Sequence, residues 1–116
     1  MPLTVYKYAK KEQVEEKIKS LQTGAVIVFG IRPCGPCTVL ESFINSWRPE
    51  ISINLFELKA PEFEDMEDYR KKFDLKLFPT VSIVDKNMKI VETQIIPGGN
   101  KNVFINLVMK HKSLFE

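Results

Sequence analysis

The chain has 116 residues, 44% hydrophobic and 28% charged, with a formal net charge of +2 at pH 7. That length suits a single domain, expected over residues 1–116, which can bury its own core without staples. So small a charge excess gives no reason to expect nucleic acid or a membrane surface as partner, and no apolar run is long enough to span a bilayer. The opening residues Met1–Lys7 show no basic, apolar and small-residue succession of a secretory leader, so a cytoplasmic location is expected. There, two cysteines are more often catalytic or metal-binding than structural.

In chain order, Thr4 to Tyr8 is β-prone and reads as an edge strand. Lys10 to Leu21 reads as a helix with Val14, Ile18 and Leu21 inward, stopped by Thr23-Gly24. Ala25 to Phe29 is apolar on both faces, as a central strand covered by helices should be. After a loop at Gly30 to Pro33, a helix is predicted as far as Trp47, with Val39, Leu40, Phe43, Ile44 and Trp47 on its apolar face. Arg48-Pro49 ends it. Ile51 to Leu58 is a strand by its period-two alternation, and Pro61 is expected to open a helix over Glu62 to Lys72 with Phe63, Met66 and Phe73 inward. The acidic cluster Glu62 to Asp68 and the basic Arg70 to Lys72 complement that helix's dipole and read as a solvated face. Thr80 to Val84 and Lys89 to Ile95 form a hairpin across Asp85-Lys86-Asn87. After the loop Pro97-Gly98-Gly99, Asn100 is a plausible N-cap for the last helix, with Val103, Phe104, Leu107, Val108 and Leu114 inward. This order predicts an α/β fold, a mixed sheet with helices on both faces.

Both cysteines lie in Arg32-Pro33-Cys34-Gly35-Pro36-Cys37-Thr38, where the central strand hands over to a helix. Backbone N–H groups at a helix N-terminus lack intrahelical partners and the dipole is positive there, so a thiolate is stabilised. Cys34, at the exposed edge, is the expected nucleophile. Cys37, one turn in, is the expected resolving thiol. Pro36 suits the first turn, where a missing N–H costs nothing.

The Cys34-Gly35-Pro36-Cys37 motif after a buried strand resembles the thioredoxin active site, and Phe78-Pro79-Thr80 is similar to the thioredoxin loop whose cis proline faces the redox cysteines. The element order matches over nearly the whole chain. The resemblance implies the thioredoxin fold and a cofactor-free thiol–disulfide oxidoreductase acting as a monomer on disulfide-containing proteins. Its electron donor would be a thioredoxin reductase or glutathione. It also implies a substrate groove built by Pro33, Gly35, Pro36, Phe78, Pro79, Pro97 and Gly98.

The departures from that family are specific. Pro33 stands where thioredoxins usually have Trp, and Thr38 where many have Lys. Val28 occupies the place of a buried Asp thought to help deprotonate the second cysteine, and Leu55 is the nearest match for the Lys beside that Asp. Loss of both keeps the core free of a lone charge. Glu57, in an otherwise apolar strand, could substitute, although solvent exposure at a strand end is the commoner outcome. Arg32, two residues before Cys34, either adds to the thiolate-stabilising field, raising the redox potential somewhat above an ordinary thioredoxin's, or points to solvent. A zinc site needs four ligands, and this chain offers two Cys and the distant His111, itself expected on the surface. A purely structural disulfide across so short a loop would gain little entropy. The alternative of a different class is a binding or assembly module with incidental redox activity.

Overall fold

The structure, a computed structural model, describes residues 2–116. In chain order it contains β1 (Leu3–Tyr6), α1 (Lys11–Leu21), β2 (Ala25–Ile31), α2 (Gly35–Ser46), β3 (Ile53–Ala60), α3 (Met66–Lys72), β4 (Thr80–Val84), β5 (Ile90–Ile95) and α4 (Lys101–Lys110). Short 3₁₀ turns lie at Pro97–Gly99 and Lys112–Phe115. The five strands form one sheet in the order β1-β3-β2-β4-β5. β1 and β2 run parallel to β3, while β4 runs antiparallel to β2 and β5 to β4. The expected mixed sheet with β1 at its edge is therefore present. No helix among the described residues is long and apolar enough to cross a membrane.

Alternation along the strands divides the core. Ala25, Ile27 and Phe29 of β2, with Phe56 and Leu58 of β3, face α1 and α3. Val26 and Val28, with Ile53 and Leu55, face α2 and α4. β2 is covered on both sides and six of its seven residues are buried, so its sequence is a continuous apolar run. It continues two residues beyond Phe29, because Gly30 and Ile31 still pair with Lys59 and Ala60.

Several expectations need correction. Val39, expected on the apolar face of α2, is 55% exposed. The buried stripe of that helix is Cys37, Leu40 and Ile44, and position 39 falls on the opposite side at a helix's 100° per residue. Trp47 caps the stripe, its ring edge-on to Phe104 at 5.3 Å. α3 begins at Met66, not at Glu62. The Phe63 N–H is taken by the Lys59 carbonyl and the Glu64 N–H by the Ala9 carbonyl, so residues 61–65 turn instead of coiling. The acidic run is also more than a solvated face: Asp65 accepts the Lys11 backbone N–H at 2.8 Å and Asp68 the Lys11 ammonium at 2.6 Å, docking α1 on α3. His111 is mostly covered, and its Nε2 meets Glu92 Oε1 at 2.7 Å, tying the end of α4 to β5. That bond, with Lys110 beside it, holds the Glu92 carboxyl below its usual range. Asn100 caps α4 as expected, its Oδ1 accepting the Asn102 and Val103 N–H groups.

Candidate active site

β2 delivers the chain to Arg32-Pro33, and Cys34 is the N-cap of α2 in extended conformation. Its Sγ accepts the Cys37 backbone N–H at 3.2 Å, the bond a Ser or Asp side chain makes at other N-caps. Its carbonyl accepts the Thr38 N–H and hydroxyl. Cys34 and Cys37 form a disulfide. Cys34 is half-buried, whereas Cys37 is 2% exposed and lies under the first turn of α2. A Cβ on Gly30 would sit 3.6 Å from Cys37 Sγ, so the strand passes directly beneath the inner sulfur.

A second segment faces the outer sulfur. The Phe78 carbonyl oxygen lies 4.0 Å from Cys34 Sγ. The Phe78–Pro79 peptide is cis, as are Arg32–Pro33 and Ala60–Pro61. Pro79 is buried and Phe78 half-buried, with the Arg70 guanidinium 5.2 Å from the Phe78 ring centre. The Pro79 carbonyl accepts the Ile96 N–H at 2.9 Å, which brings in the third segment, Pro97-Gly98. Pro33, Gly35, Pro36, Pro97 and Gly98 are all exposed around the disulfide. Leu77, next to Phe78 in the chain, is 61% exposed.

Gly99, expected only as part of a loop, belongs to the surroundings of the disulfide. It has φ +69°, and a Cβ there would strike the Pro36 carbonyl while standing 3.1 Å from the Leu40 nitrogen. The glycine lets the Pro97–Gly99 turn close against the first turn of α2. Gly98, at φ +64°, has open space around it. The doubled glycine was the available signal, but it does not say which member meets a neighbour.

The inner face differs from expectation in two residues. The residue across β3 from Val28 is Glu57; Leu55 pairs with Val26. And Glu57 is not a solvent-exposed strand end. It is 8% exposed, its Oε1 lies 3.4 Å from the Lys7 ammonium, and its Oε2 has no hydrogen-bond partner. Two positions along the same strand, Lys59 pairs with Glu41 of α2 at 2.5 Å. Arg32 does not turn onto the sulfur as a free cation, because Glu62 holds its guanidinium at 2.6 Å. Among the described residues no three His, Cys, Asp or Glu side chains converge as metal ligands.

No protein-family model matches the chain, and no curated protein matches its sequence. Solved structures do. A thioredoxin from Nicotiana alata superimposes with a TM-score of 0.74 at 22% identity, covering 96% of this chain and 95% of its own. Fasciola hepatica thioredoxin gives 0.75 at 20% identity, covering 90% and 97%. This chain has the thioredoxin fold. A thioredoxin f2 solved in a complex with ferredoxin:thioredoxin reductase also matches, with a TM-score of 0.74 at 15% identity over 96% of both chains. At such identities the likeness concerns the backbone, and the chemistry has to be argued from the thioredoxin-fold site itself.

Proposed function

We propose that the chain is a dithiol–disulfide oxidoreductase that reduces or exchanges protein disulfides, acting as a monomer in the cytoplasm. The observation that carries this is the unequal pair: a half-buried sulfur at a helix N-terminus joined to a buried one beneath it. In the dithiol form, the Cys37 N–H and the positive end of α2 favour charge on Cys34 Sγ. That thiolate attacks a substrate disulfide; the substrate S–S bond breaks and one substrate sulfur leaves as thiolate. Cys37 then loses its proton and attacks Cys34 Sγ, the second substrate sulfur leaves, and two electrons have passed to the substrate. The backbone at Phe78–Pro79 offers an extended substrate an edge to pair with, and Gly98 allows close approach on the far side.

The electron donor in this reading is a thiol-reducing partner, either a thioredoxin-reductase type of enzyme or glutathione. Support for the former is the structural likeness to a thioredoxin seen with its reductase. The deciding experiment is an equilibrium titration of the Cys34–Cys37 couple against glutathione and dithiothreitol with thiol trapping. A reversible two-electron couple near or below the cytosolic poise, on the order of −250 mV, fits a reductase. A value tens of millivolts higher fits exchange or oxidation. Absence of any reversible couple would leave only a binding module.

A further inference from the structure

Beside the redox site lies a cavity of about 320 Å³, bounded by Lys7, Arg32, Glu41, Glu57, Lys59 and Glu62. These six form three ion pairs, and the pairs are unequal. Arg32–Glu62 and Lys59–Glu41 are short, at 2.6 and 2.5 Å, so each charge is answered. Lys7–Glu57 is 3.4 Å, longer than a charge-assisted hydrogen bond, and the Lys7 side chain is 68% exposed. Among the described residues no hydrogen bond reaches Glu57 Oε2, although the side chain is more than nine-tenths buried. Buried carboxylates are normally both paired and hydrogen-bonded. This one is held only by a solvated ammonium at arm's length.

The geometry points to a ligand for that carboxylate. We propose that the cavity is a subsite for a lysine or arginine side chain of the disulfide substrate, whose cationic head takes the place of Lys7 on Glu57. The inference rests on the oxidoreductase reading and narrows its substrates to disulfides with a basic flanking residue. Lys59 and Arg32 are neutralised by their own partners, so the walls do not repel a cation. Glu57 itself lines the cavity, and its terminal torsion is soft enough for the carboxylate to adjust to an incoming cation. Tyr8 and Phe63 also line the cavity and give a methylene stem apolar surface to lie on. A metal ion is not the occupant that these walls fit, because among the described residues no three carboxylate, thiol or imidazole side chains converge there. Arg32, which lines the cavity, stands two residues before Cys34 in the chain. The basic side chain that fills the cavity is therefore expected on a residue flanking the bound cysteine.

The test uses disulfide peptides in which Lys is scanned over the four positions on each side of the target cysteine, each paired with a norleucine peptide of equal length. The readout is the Lys-to-norleucine ratio of kcat/KM within one protein, which cancels any general loss of activity or folded fraction in a variant. In the wild type, one position should favour Lys about tenfold, the effect of one well-made hydrogen bond to a charge. Glu57→Gln should bring that ratio close to one, and Lys7→Ala, which removes the competing ammonium, should raise it. A wild type with no preference at any position overturns the subsite, and so does a preference that survives in Glu57→Gln. Wild-type protein that reduces neither peptide series nor bis(2-hydroxyethyl) disulfide would instead bring down the oxidoreductase reading itself.

Discussion

The two faces of the sheet are built from the same five strands and are used differently. The face under α1 and α3 is a closed aromatic core. Phe29 lies 4.9 Å from Phe73 and 6.1 Å from Tyr69, ring centre to ring centre, and Phe63 lies 5.3 Å from Tyr69. Its buried hydroxyls all have partners: that of Tyr69 donates to Glu15 at 2.6 Å, that of Thr80 to the Leu77 carbonyl at 2.5 Å, and that of Ser82 lies 2.9 Å from the Thr93 hydroxyl. The face under α2 and α4 is apolar at its centre but carries Cys37, a glycine beneath it, and the loosely paired carboxylate of Glu57 towards the end of β3. The first face has every group answered. The second holds the disulfide and, among the described residues, a buried carboxylate oxygen with no hydrogen-bond partner, in the half of the molecule where chemistry is proposed. Separation by face lets the chain hold reactive groups without asking the same residues to supply stability.

The largest expected effect separates the two faces outright. Cys34→Ser should abolish disulfide exchange, while its stability stays within about 1 kcal/mol of the reduced wild type, as measured by denaturant unfolding in dithiothreitol. Cys37→Ser should keep the first chemical step and accumulate mixed disulfide at Cys34, visible by mass. Phe29→Ala reverses the pattern. Removing a fully buried ring that touches two others should cost about 3–5 kcal/mol, with the remaining folded protein still able to form the Cys34–Cys37 disulfide. If Phe29→Ala altered the redox potential as strongly as the stability, the division of labour between faces would be wrong.

Intermediate effects sharpen the same contrast. Gly99→Ala forces a Cβ onto the Pro36 carbonyl at positive φ and should cost about 1–3 kcal/mol while slowing exchange, since the first turn of α2 must give way. Gly98→Ala has the strained φ but no neighbour within the chain, so about 1 kcal/mol is expected, with an unchanged rate on a small disulfide and a slower one only on protein substrates that approach over this position. Equal losses for the two would mean that the contact with α2 is unimportant. On the closed face, Tyr69→Phe removes one hydrogen bond to a carboxylate, worth about 1.5–3 kcal/mol at neutral pH. Burial and the Glu15 carboxylate push the Tyr69 phenol well above the ordinary value of 10.0. The folded state thus keeps a proton that the unfolded chain gives up. The stabilisation is full below pH 10 and is lost as pH rises beyond it. Stability curves of wild type and Tyr69→Phe should therefore converge above pH 10; parallel curves would contradict this.

How far the sequence carries the reader depends on the range of the contact. The helix N-terminus at Cys34, the paired strands and the N-cap at Asn100 are local, and local pattern specifies them. The mate of Val28 is not local. Leu55 and Glu57 lie on the same face of β3, so alternation allows either, and only the parallel register with β2 selects Glu57. Burial of Glu57 likewise depends on what surrounds it from β1, α2 and the turn after β3, none of which its own strand announces. The late start of α3 has the same origin: the N–H groups of Phe63 and Glu64 find partners at Lys59 and Ala9, and Ala9 is far off in the chain.

The smallest expected effect concerns Arg32, where structure revises a plausible electrostatic argument. A free guanidinium two residues from Cys34 would stabilise the thiolate and raise the potential. Here Glu62 holds it at 2.6 Å, and the two side chains are 60% and 54% exposed. Opposite charges so close present little net field at a distance, and water screens what remains. Arg32→Ala should therefore lower the potential by no more than about 10 mV, equivalent to about 0.5 kcal/mol for two electrons. Glu62→Gln releases the guanidinium and should raise the potential by a similar or larger amount. In the Glu62→Gln background, Arg32→Ala should then have more effect than in the wild type, and both effects should shrink in high salt. A fall of about 30 mV or more for Arg32→Ala alone would mean that the guanidinium acts on Cys34 despite Glu62, and that the cavity-side face tunes the sulfur as well as flanking it.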